Sequence, residues 1–366
     1  MLTSLSMKGY RAFKNLEIED LGRVNLFVGR NNCGKTSILE ASEILLGGTD
    51  PAIVIRSTIR RGEIISSRTQ ERVERKFDLS HLFHGHKIDT GEGFQVFGDE
   101  RDQCISISCQ VSNEASEGES KDKLLFKNGD AEAISFLVIK HSMANEVVRC
   151  PLSSPGAISH DWLRRLRFIE KKREKNVNFI GADALDGEEM GELWNSIALT
   201  NEEESVLEAL RILEPEIDRI AFLSGSSYRL TRSSEGIFAK LRGLEERIPL
   251  GSLGDGIRHL LSISLAVIRS SGGAVMIDEI DTGLHFSVMT DMWRVLIKTA
   301  DRLDVQVFAT THSLDCLRSL AWLNEHEPKL CEKVRLHRVE IERERTTVYS
   351  PDEIMEAAKH HMEIRG

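Results

Sequence analysis

An eight-residue stretch at 29–36, GRNNCGKT, separates an apolar run from a segment with helical periodicity. The preceding segment, VNLFV, is apolar on both faces, as a buried central strand should be. The following segment, TSILEASEILLG, repeats its apolar residues at helical spacing. In this order, a strand, a glycine-rich turn and a helix bring backbone N–H groups and a helix dipole to phosphate oxygens. The stretch therefore predicts an α/β fold with a phosphate-binding loop.

The residue types in this loop indicate a nucleoside triphosphate as the ligand. Lys35 is expected to reach the β- and γ-phosphates, and Thr36 to ligate Mg²⁺. ATP and Mg²⁺ are therefore the expected ligands. The candidate nucleotide-binding residues are Gly29, Asn31, Asn32, Gly34, Lys35, Thr36 and Ser37.

Two further strand ends carry residues suited to this chemistry. The apolar run AVMI ends in Asp278 and Glu279, and the run VQVFA leads to TTHS with His312. We expect Asp278 to support the Mg²⁺ ion. Glu279 would polarise the attacking water, and His312 would hydrogen-bond the γ-phosphate. The predicted catalytic residues are thus Glu279, Lys35 and His312, and the predicted metal-binding residues are Thr36 and Asp278.

A second glycine-rich turn, GSLGDG at 251–256, precedes a long apolar helix. Such a turn is another potential anion site, and one chain does not need two of them for a single ATP. Ser252, Gly254 and Gly256 are therefore predicted to contact the ATP of a partner subunit. The simpler alternative is a helix cap without a ligand.

The composition is that of a globular protein, with 48 basic and 58 acidic residues among 366 and a net charge of −10. Any contact with nucleic acid must therefore use a local basic face; one candidate is the basic segment 164–175, which is also typical of a solvated helix. We find no signal peptide, no apolar run that could span a membrane and no CxxC pair, so a cytoplasmic protein is expected.

The pattern along the chain predicts three parts. Residues 1–50 and 221–366 form the expected ATP-binding core, 51–150 a β-rich lobe and 151–220 a helical subdomain. Within the lobe, residues 50–90 are predicted to be loop and helix, and residues 93–148 to form antiparallel strands. Residues 187–220 are predicted to be helical.

Taken together, the motifs resemble the ABC class of ATPases, in particular its RecF/SMC/OLD branch. The resemblance rests on GRNNCGKTS, PLGSLGDGIRHLL, AVMIDEIDTGLH and QVFATTHS in this order, and the ending resembles small standalone AAA15-like ATPases. It implies an ABC-type head with a mixed or parallel sheet, an antiparallel β lobe and a helical insertion. It also implies that Asp278 is the Walker B aspartate, Glu279 the catalytic base, His312 the switch histidine and 252–256 the signature loop.

The resemblance further implies an ATPase that dimerises, or forms a larger homo-oligomer, through composite ATP sites. Its closure would gate a separate effector, a Toprim-like nuclease or a toxin, in phage defence or DNA maintenance. The signature loop departs from LSGGQ, and His285 stands where an aspartate is common, so turnover is expected to be slow or partner-stimulated. The alternatives are an assembly protein with little turnover, a transporter-type ATPase subunit and a monomeric P-loop kinase or GTPase.

Overall fold

A central sheet built around the strand before the phosphate-binding loop organises the molecule. The computed structural model describes residues 1–69, 72–89, 91–99, 104–112, 134–142, 145–152, 156–159, 162, 176–222 and 236–359. In spatial order the strands of this sheet are β11 (Val177–Ile180), β15 (Ala274–Ile277), β16 (Gln306–Thr310), β3 (Val24–Val28), β17 (Val334–Arg338) and β18 (Thr347–Tyr349). The first five run parallel, and β18 is antiparallel to β17.

Helices cover the sheet because both of its faces are apolar. Along β3, Leu26 and Val28 point into one core, and Phe27 points into the other. The helices are α1 (Lys35–Gly47), α2 (Pro51–Arg60), α3 (Gly187–Ile197), α4 (Asn201–Leu210), α5 (Asp255–Arg269), α6 (Phe286–Arg302), α7 (Leu314–His326), α8 (Pro328–Cys331) and α9 (Pro351–Lys359). The core that contains Leu26 also contains residues of α3 to α7, whereas the core that contains Phe27 contains residues of α1.

An antiparallel sheet closes the face that carries Phe27. Its strands in order are β2 (Phe13–Ile18), β1 (Leu5–Tyr10), β6 (Gly93–Phe97), β7 (Cys104–Ser112), β8 (Ile134–His141) and β9 (Glu146–Leu152). The α/β class, the parallel sheet and the antiparallel sheet agree with the predicted fold. The N-terminal hairpin joins the antiparallel sheet through the pairing of β1 with β6.

The prediction of loop and helix for residues 50–90 is wrong for two strands that follow α2. Here β4 (Ile64–Thr69) pairs antiparallel with β5 (Arg72–Asp78), and β5 also pairs antiparallel with β10 (Ala157–Ser159). The charged run of β5 looked helical because its apolar residues, Val73 and Phe77, are four positions apart, a spacing typical of a helix. Only one of its two strand partners, β10, lies about 80 residues further along the chain.

The helical prediction for 187–220 is correct through α4 and wrong at its end. Asp186 and Thr200 cap α3 and α4 by accepting hydrogen bonds from backbone N–H groups. The chain then enters a small antiparallel sheet of β12 (Ile217–Phe222), β13 (Ile237–Leu241) and β14 (Arg247–Pro249).

The basic segment 164–175 lies outside the described residues. Within the described ranges, none of the helices has both the length and the apolar character needed to cross a bilayer.

Candidate functional site

The phosphate-binding loop is packed tightly enough to require glycine at two positions. Gly34 has φ +93° and caps α1, and a Cβ there would lie 2.3 Å from the Phe13 ring. Gly29 has φ +154°, and a Cβ there would lie 2.5 Å from the carbonyl oxygen of Val339. The Phe13 side chain is buried in the core and packs against Gly34 of the loop. Backbone N–H groups can therefore face a phosphate without interference from side chains.

The remaining loop residues differ in their exposure to solvent. Asn31 and Asn32 are exposed at the top of the loop, and Asn32 adopts a left-handed conformation with φ 65°. Ser37 is buried, and its hydroxyl accepts a hydrogen bond from the Arg61 guanidinium at 3.2 Å. Burial raises the pKa of the Cys33 thiol, which keeps it protonated.

The Lys35 ammonium folds back onto its own loop. Its Nζ donates to the carbonyl oxygens of Gly29 at 2.9 Å and Arg30 at 3.0 Å. These neutral acceptors hold the charged group at the mouth of the loop. A phosphate, as a charged acceptor, forms the stronger hydrogen bond and can displace them.

A chain of hydrogen bonds joins three elements at the carboxyl edge of the central sheet. The Thr36 hydroxyl lies 3.0 and 3.2 Å from the two carboxylate oxygens of Asp278. The Thr310 hydroxyl donates to Asp278 Oδ1 at 2.6 Å and accepts from the backbone N–H of Glu279 at 2.8 Å. The structure thus brings together the start of α1 and the ends of β15 and β16.

Glu279 follows Asp278 with a left-handed backbone (φ 52°), which turns its side chain away from the strand. Its carboxylate is 44% exposed and lies 3.7 Å from Nδ1 of His312. The Thr282 hydroxyl is 3.5 Å from the other carboxylate oxygen. The structure therefore places Glu279 and His312 side by side, accessible to solvent and next to the Thr36–Asp278 pair.

The loop at 251–256 points its polar residues outward. Ser252 and Gly254 are exposed, and Gly254 has φ +103° where α5 begins. Gly256 is buried, and a Cβ there would lie 2.4 Å from the carbonyl oxygen of Gly283. Only glycine permits this contact, which packs the start of α5 against the turn that follows Glu279.

Two buried threonines, Thr310 and Thr311, support this site and were not identified from the sequence. Thr310 links Asp278 to Glu279, and the hydroxyl of the neighbouring Thr311 donates to Asp281 at 2.6 Å. Both are fully buried at the end of a strand adjacent to the Asp278 strand. Two consecutive hydroxyl residues at such a strand end were the available signal.

His285, which stands where the resemblance expects an aspartate, begins α6. Its side chain accepts from the Ser287 N–H, which is the hydrogen bond an aspartate could make at a helix start.

The chain is similar to a known protein family and to a bacterial relative. The family model "AAA domain, putative AbiEii toxin, Type IV TA system" matches residues 24–317. The chain is 26% identical over 349 residues to an "ATP/GTP phosphatase" of Helicobacter pylori, covering 87% of each protein.

Among solved structures, similar chains include two SMC heads. One is bound to the C-winged helix domain of ScpA (13% identity, TM-score 0.47, covering 95% of this chain and 98% of that one). The other, from Pyrococcus furiosus, has an extended coiled coil and is bound to the C-terminal domain of ScpA (12% identity, TM-score 0.47, covering 98% and 99%).

The family match covers most of the chain and every candidate site residue, from Gly29 to His312. The chain therefore belongs to the family described as "AAA domain, putative AbiEii toxin, Type IV TA system" and is a P-loop ATPase of that family.

Proposed function

We propose that this protein is a Mg²⁺-dependent ATPase whose ATP site is completed by a second copy of the chain, and whose closure gates a separate effector. The observation that carries the proposal is the hydrogen-bonded chain from Thr36 through Asp278 and Thr310 to the backbone of Glu279. It links a phosphate-binding residue, a metal-supporting carboxylate and a candidate base in one rigid unit.

The oxygen atoms at Thr36 and Asp278 fit Mg²⁺. This ion prefers hard oxygen ligands and usually takes one or two carboxylates together with substrate phosphates and water. Among the described residues, no three His, Cys, Asp or Glu side chains cluster as a protein-only metal site. The Thr36 hydroxyl and the Asp278 carboxylate would hold the ion, which neutralises charge on the phosphates when bound.

The other residues would act directly on ATP and water. Lys35 would exchange the Gly29 and Arg30 carbonyls for phosphate oxygens. Glu279 would accept a hydrogen bond from the attacking water and draw its proton away as the water oxygen bonds to the γ-phosphorus. The bond from that phosphorus to the β–γ bridging oxygen would break, and ADP would leave. His312, whose Nδ1 lies 3.7 Å from the Glu279 carboxylate, would orient that carboxylate and hydrogen-bond the γ-phosphate.

The exposed start of α5 supports the dimeric part of the proposal. The loop with Ser252 and Gly254 leads into a 15-residue helix, so its backbone N–H groups and the helix dipole attract an anion. A single ATP is already served by the start of α1. The start of α5 would therefore bind the γ-phosphate held by a partner copy, and two identical copies would share two composite sites.

ATP-driven closure would signal to another protein. The family description names a putative toxin and a toxin–antitoxin system, which supports a toxin as the effector. A Toprim-like nuclease in phage defence is the other effector that we consider. DNA maintenance through a local basic face is the other setting we consider. Slow turnover, with ATP used mainly for assembly, would serve either role. Cys33, Cys316 and Cys331 are buried thiols outside any disulfide, which suits the proposed cytoplasmic location.

ATPase assays and mass measurements on two variants test the proposal. We expect Lys35→Ala to lose ATP binding. Glu279→Gln should bind ATP, hydrolyse it roughly 10²–10⁴-fold more slowly and accumulate as an ATP-bound dimer or larger assembly. Lys329→Ala and Glu342→Gln, at exposed positions, are matched controls and should behave as wild type. Wild-type hydrolysis by Glu279→Gln, with a mass unaffected by ATP, would contradict the proposal.

A further inference from the structure

A histidine-rich loop between β5 and β6 lies outside the ATP site. It contains His81, His84 and His86, and backbone hydrogen bonds fix it to the turn between β1 and β2. The Arg11 N–H donates to the Leu82 carbonyl, and the His84 N–H donates to the Gly9 carbonyl, both at 2.9 Å. The loop is therefore held in place although its histidines reach solvent.

Two of these histidines point ring nitrogens at one another. Nδ1 of His81 lies 3.2 Å from Nδ1 of His86, and the ring centroids are 5.3 Å apart. Two nitrogens bound to one tetrahedral ion at about 2.0–2.1 Å lie roughly 3.3 Å apart. The observed spacing is therefore that of a chelating pair. A direct N–H···N hydrogen bond between the rings is the other arrangement that this distance permits.

A carboxylate on the far side of His81 favours chelation. Oδ2 of Asp78 lies 3.7 Å from Nε2 of His81. Its other oxygen, Oδ1, accepts from the backbone N–H of Ser80 at 2.9 Å and from the Ser80 hydroxyl at 2.6 Å. The negative charge of a carboxylate on this side favours the tautomer with its proton on Nε2, in which Nδ1 carries the lone pair. Carboxylates support metal-binding histidines in this way.

We propose that His81 and His86 chelate one divalent transition ion of the kind that imidazole prefers, such as Zn²⁺, Ni²⁺ or Cu²⁺. Nδ1 of each ring supplies the lone pair, and Asp78 orients His81. Nδ1 of His84 contacts the Arg11 carbonyl at 3.0 Å. Because the described residues contain no cluster of three ligand side chains, water completes the coordination shell. The bound ion cross-links the two positions of the loop, His81 and His86.

The position of the site suggests what the ion stabilises. The loop is bonded to Gly9 and Arg11, and Phe13, at the other end of the same turn, packs under Gly34 of the phosphate-binding loop. An ion that tethers the histidine loop therefore stabilises the turn that carries Phe13. This site is independent of ATP hydrolysis, so it can be tested without nucleotide.

The test is calorimetric titration of the chelator-treated full-length protein with Ni²⁺ alone, followed by thermal unfolding with and without the ion. We expect one ion per chain at micromolar affinity and a higher unfolding temperature. His81→Asn and His86→Asn should each weaken binding tenfold or more and abolish the temperature rise. Asp78→Asn should weaken binding by about tenfold.

His326→Asn is the matched control, since His326 is exposed on α7, and it should bind as wild type does. The proposal is overturned if the wild type binds no ion below millimolar concentration. It is equally overturned if the His81→Asn/His86→Asn double variant binds Ni²⁺ as tightly as the wild type and gains the same temperature rise.

Discussion

Thr310 offers a sharp test of the site because its hydroxyl makes two hydrogen bonds while its side chain is fully buried. It donates to Asp278 Oδ1 at 2.6 Å and accepts from the Glu279 N–H at 2.8 Å. Thr310→Val replaces that oxygen by a methyl group of similar size. The packing is retained, and the link between the two acidic residues is lost.

The expected cost follows from these two contacts. A hydrogen bond to a charged group contributes about 1.5–3 kcal/mol, and a buried N–H left without a partner costs about 1–3 kcal/mol. Because Asp278 keeps its contact with Thr36 and the Glu279 side chain is partly exposed, we expect a loss of about 2–3 kcal/mol in the free energy of unfolding. Loss of a residue that orients a metal-supporting carboxylate should lower ATPase activity by about 10–100-fold.

The assay compares Thr310→Val with Thr310→Ser, which keeps the hydroxyl and loses only a methyl group. The serine variant should retain most of the ATPase activity, with a loss in stability of about 1 kcal/mol. Thermal unfolding and steady-state ATPase rates are measured on both variants. Equal activity of the valine and serine variants would refute the role assigned to the hydroxyl.

Three further predictions concern other buried features. Burial lowers the pKa of His337 to about 3 from its ordinary value of 6.5. Between pH 6.5 and pH 3 the His337 imidazole is therefore protonated in the unfolded chain but neutral in the folded one. Protonation of the unfolded chain does not reduce the free energy of unfolding above pH 6.5, and it reduces it by about 2–3 kcal/mol between pH 7.5 and pH 4.5. Thermal unfolding measured over this pH range should show no such reduction in His337→Phe. Arg11→Met removes the guanidinium 2.7 Å from the buried Glu40 carboxylate, which keeps Arg61 as its other ion-pair partner, and should destabilise the protein by about 2 kcal/mol. Gly256→Ala should lower both ATPase activity and the unfolding temperature, since its Cβ would collide with the Gly283 carbonyl.

Each of these has a matched control. His326→Phe, at an exposed position, should leave the pH dependence of the unfolding temperature unchanged. An equal change in both variants would contradict the role of His337 in the loss of stability at acidic pH. Adding Glu40→Gln to Arg11→Met should restore part of the lost stability, and no restoration would count against the buried pair. Gly251→Ala has open space around its Cβ, so equal effects at Gly251 and Gly256 would contradict the packing argument.

The phosphate-binding loop and the central sheet were predictable because their signals are local. Each motif lies at the end of a short apolar strand, and parallel strands bring such ends to one edge. The contact between Thr36 and Asp278 bears out this proximity across 242 residues.

Features that depend on distant partners were not predictable in the same way. The charged β5 strand is held by β10, and the N-terminal hairpin by β6. The role of Thr310 depends on the neighbouring strand placing Asp278 within reach of its hydroxyl. The pairing of His81 with His86 depends on how their loop folds over the β1–β2 turn.

Subunit mixing tests the composite site most directly. Lys35→Ala damages only the phosphate-binding side, and Gly254→Asp places a negative charge on the exposed loop proposed to meet the partner's ATP. Each variant alone should be inactive. In an equal mixture, half of the dimers contain one copy of each variant and thus one complete site. The account predicts that the mixture recovers about a quarter of the wild-type ATPase rate. A mixture as inactive as its components, with both variants folded and assembling, would contradict it.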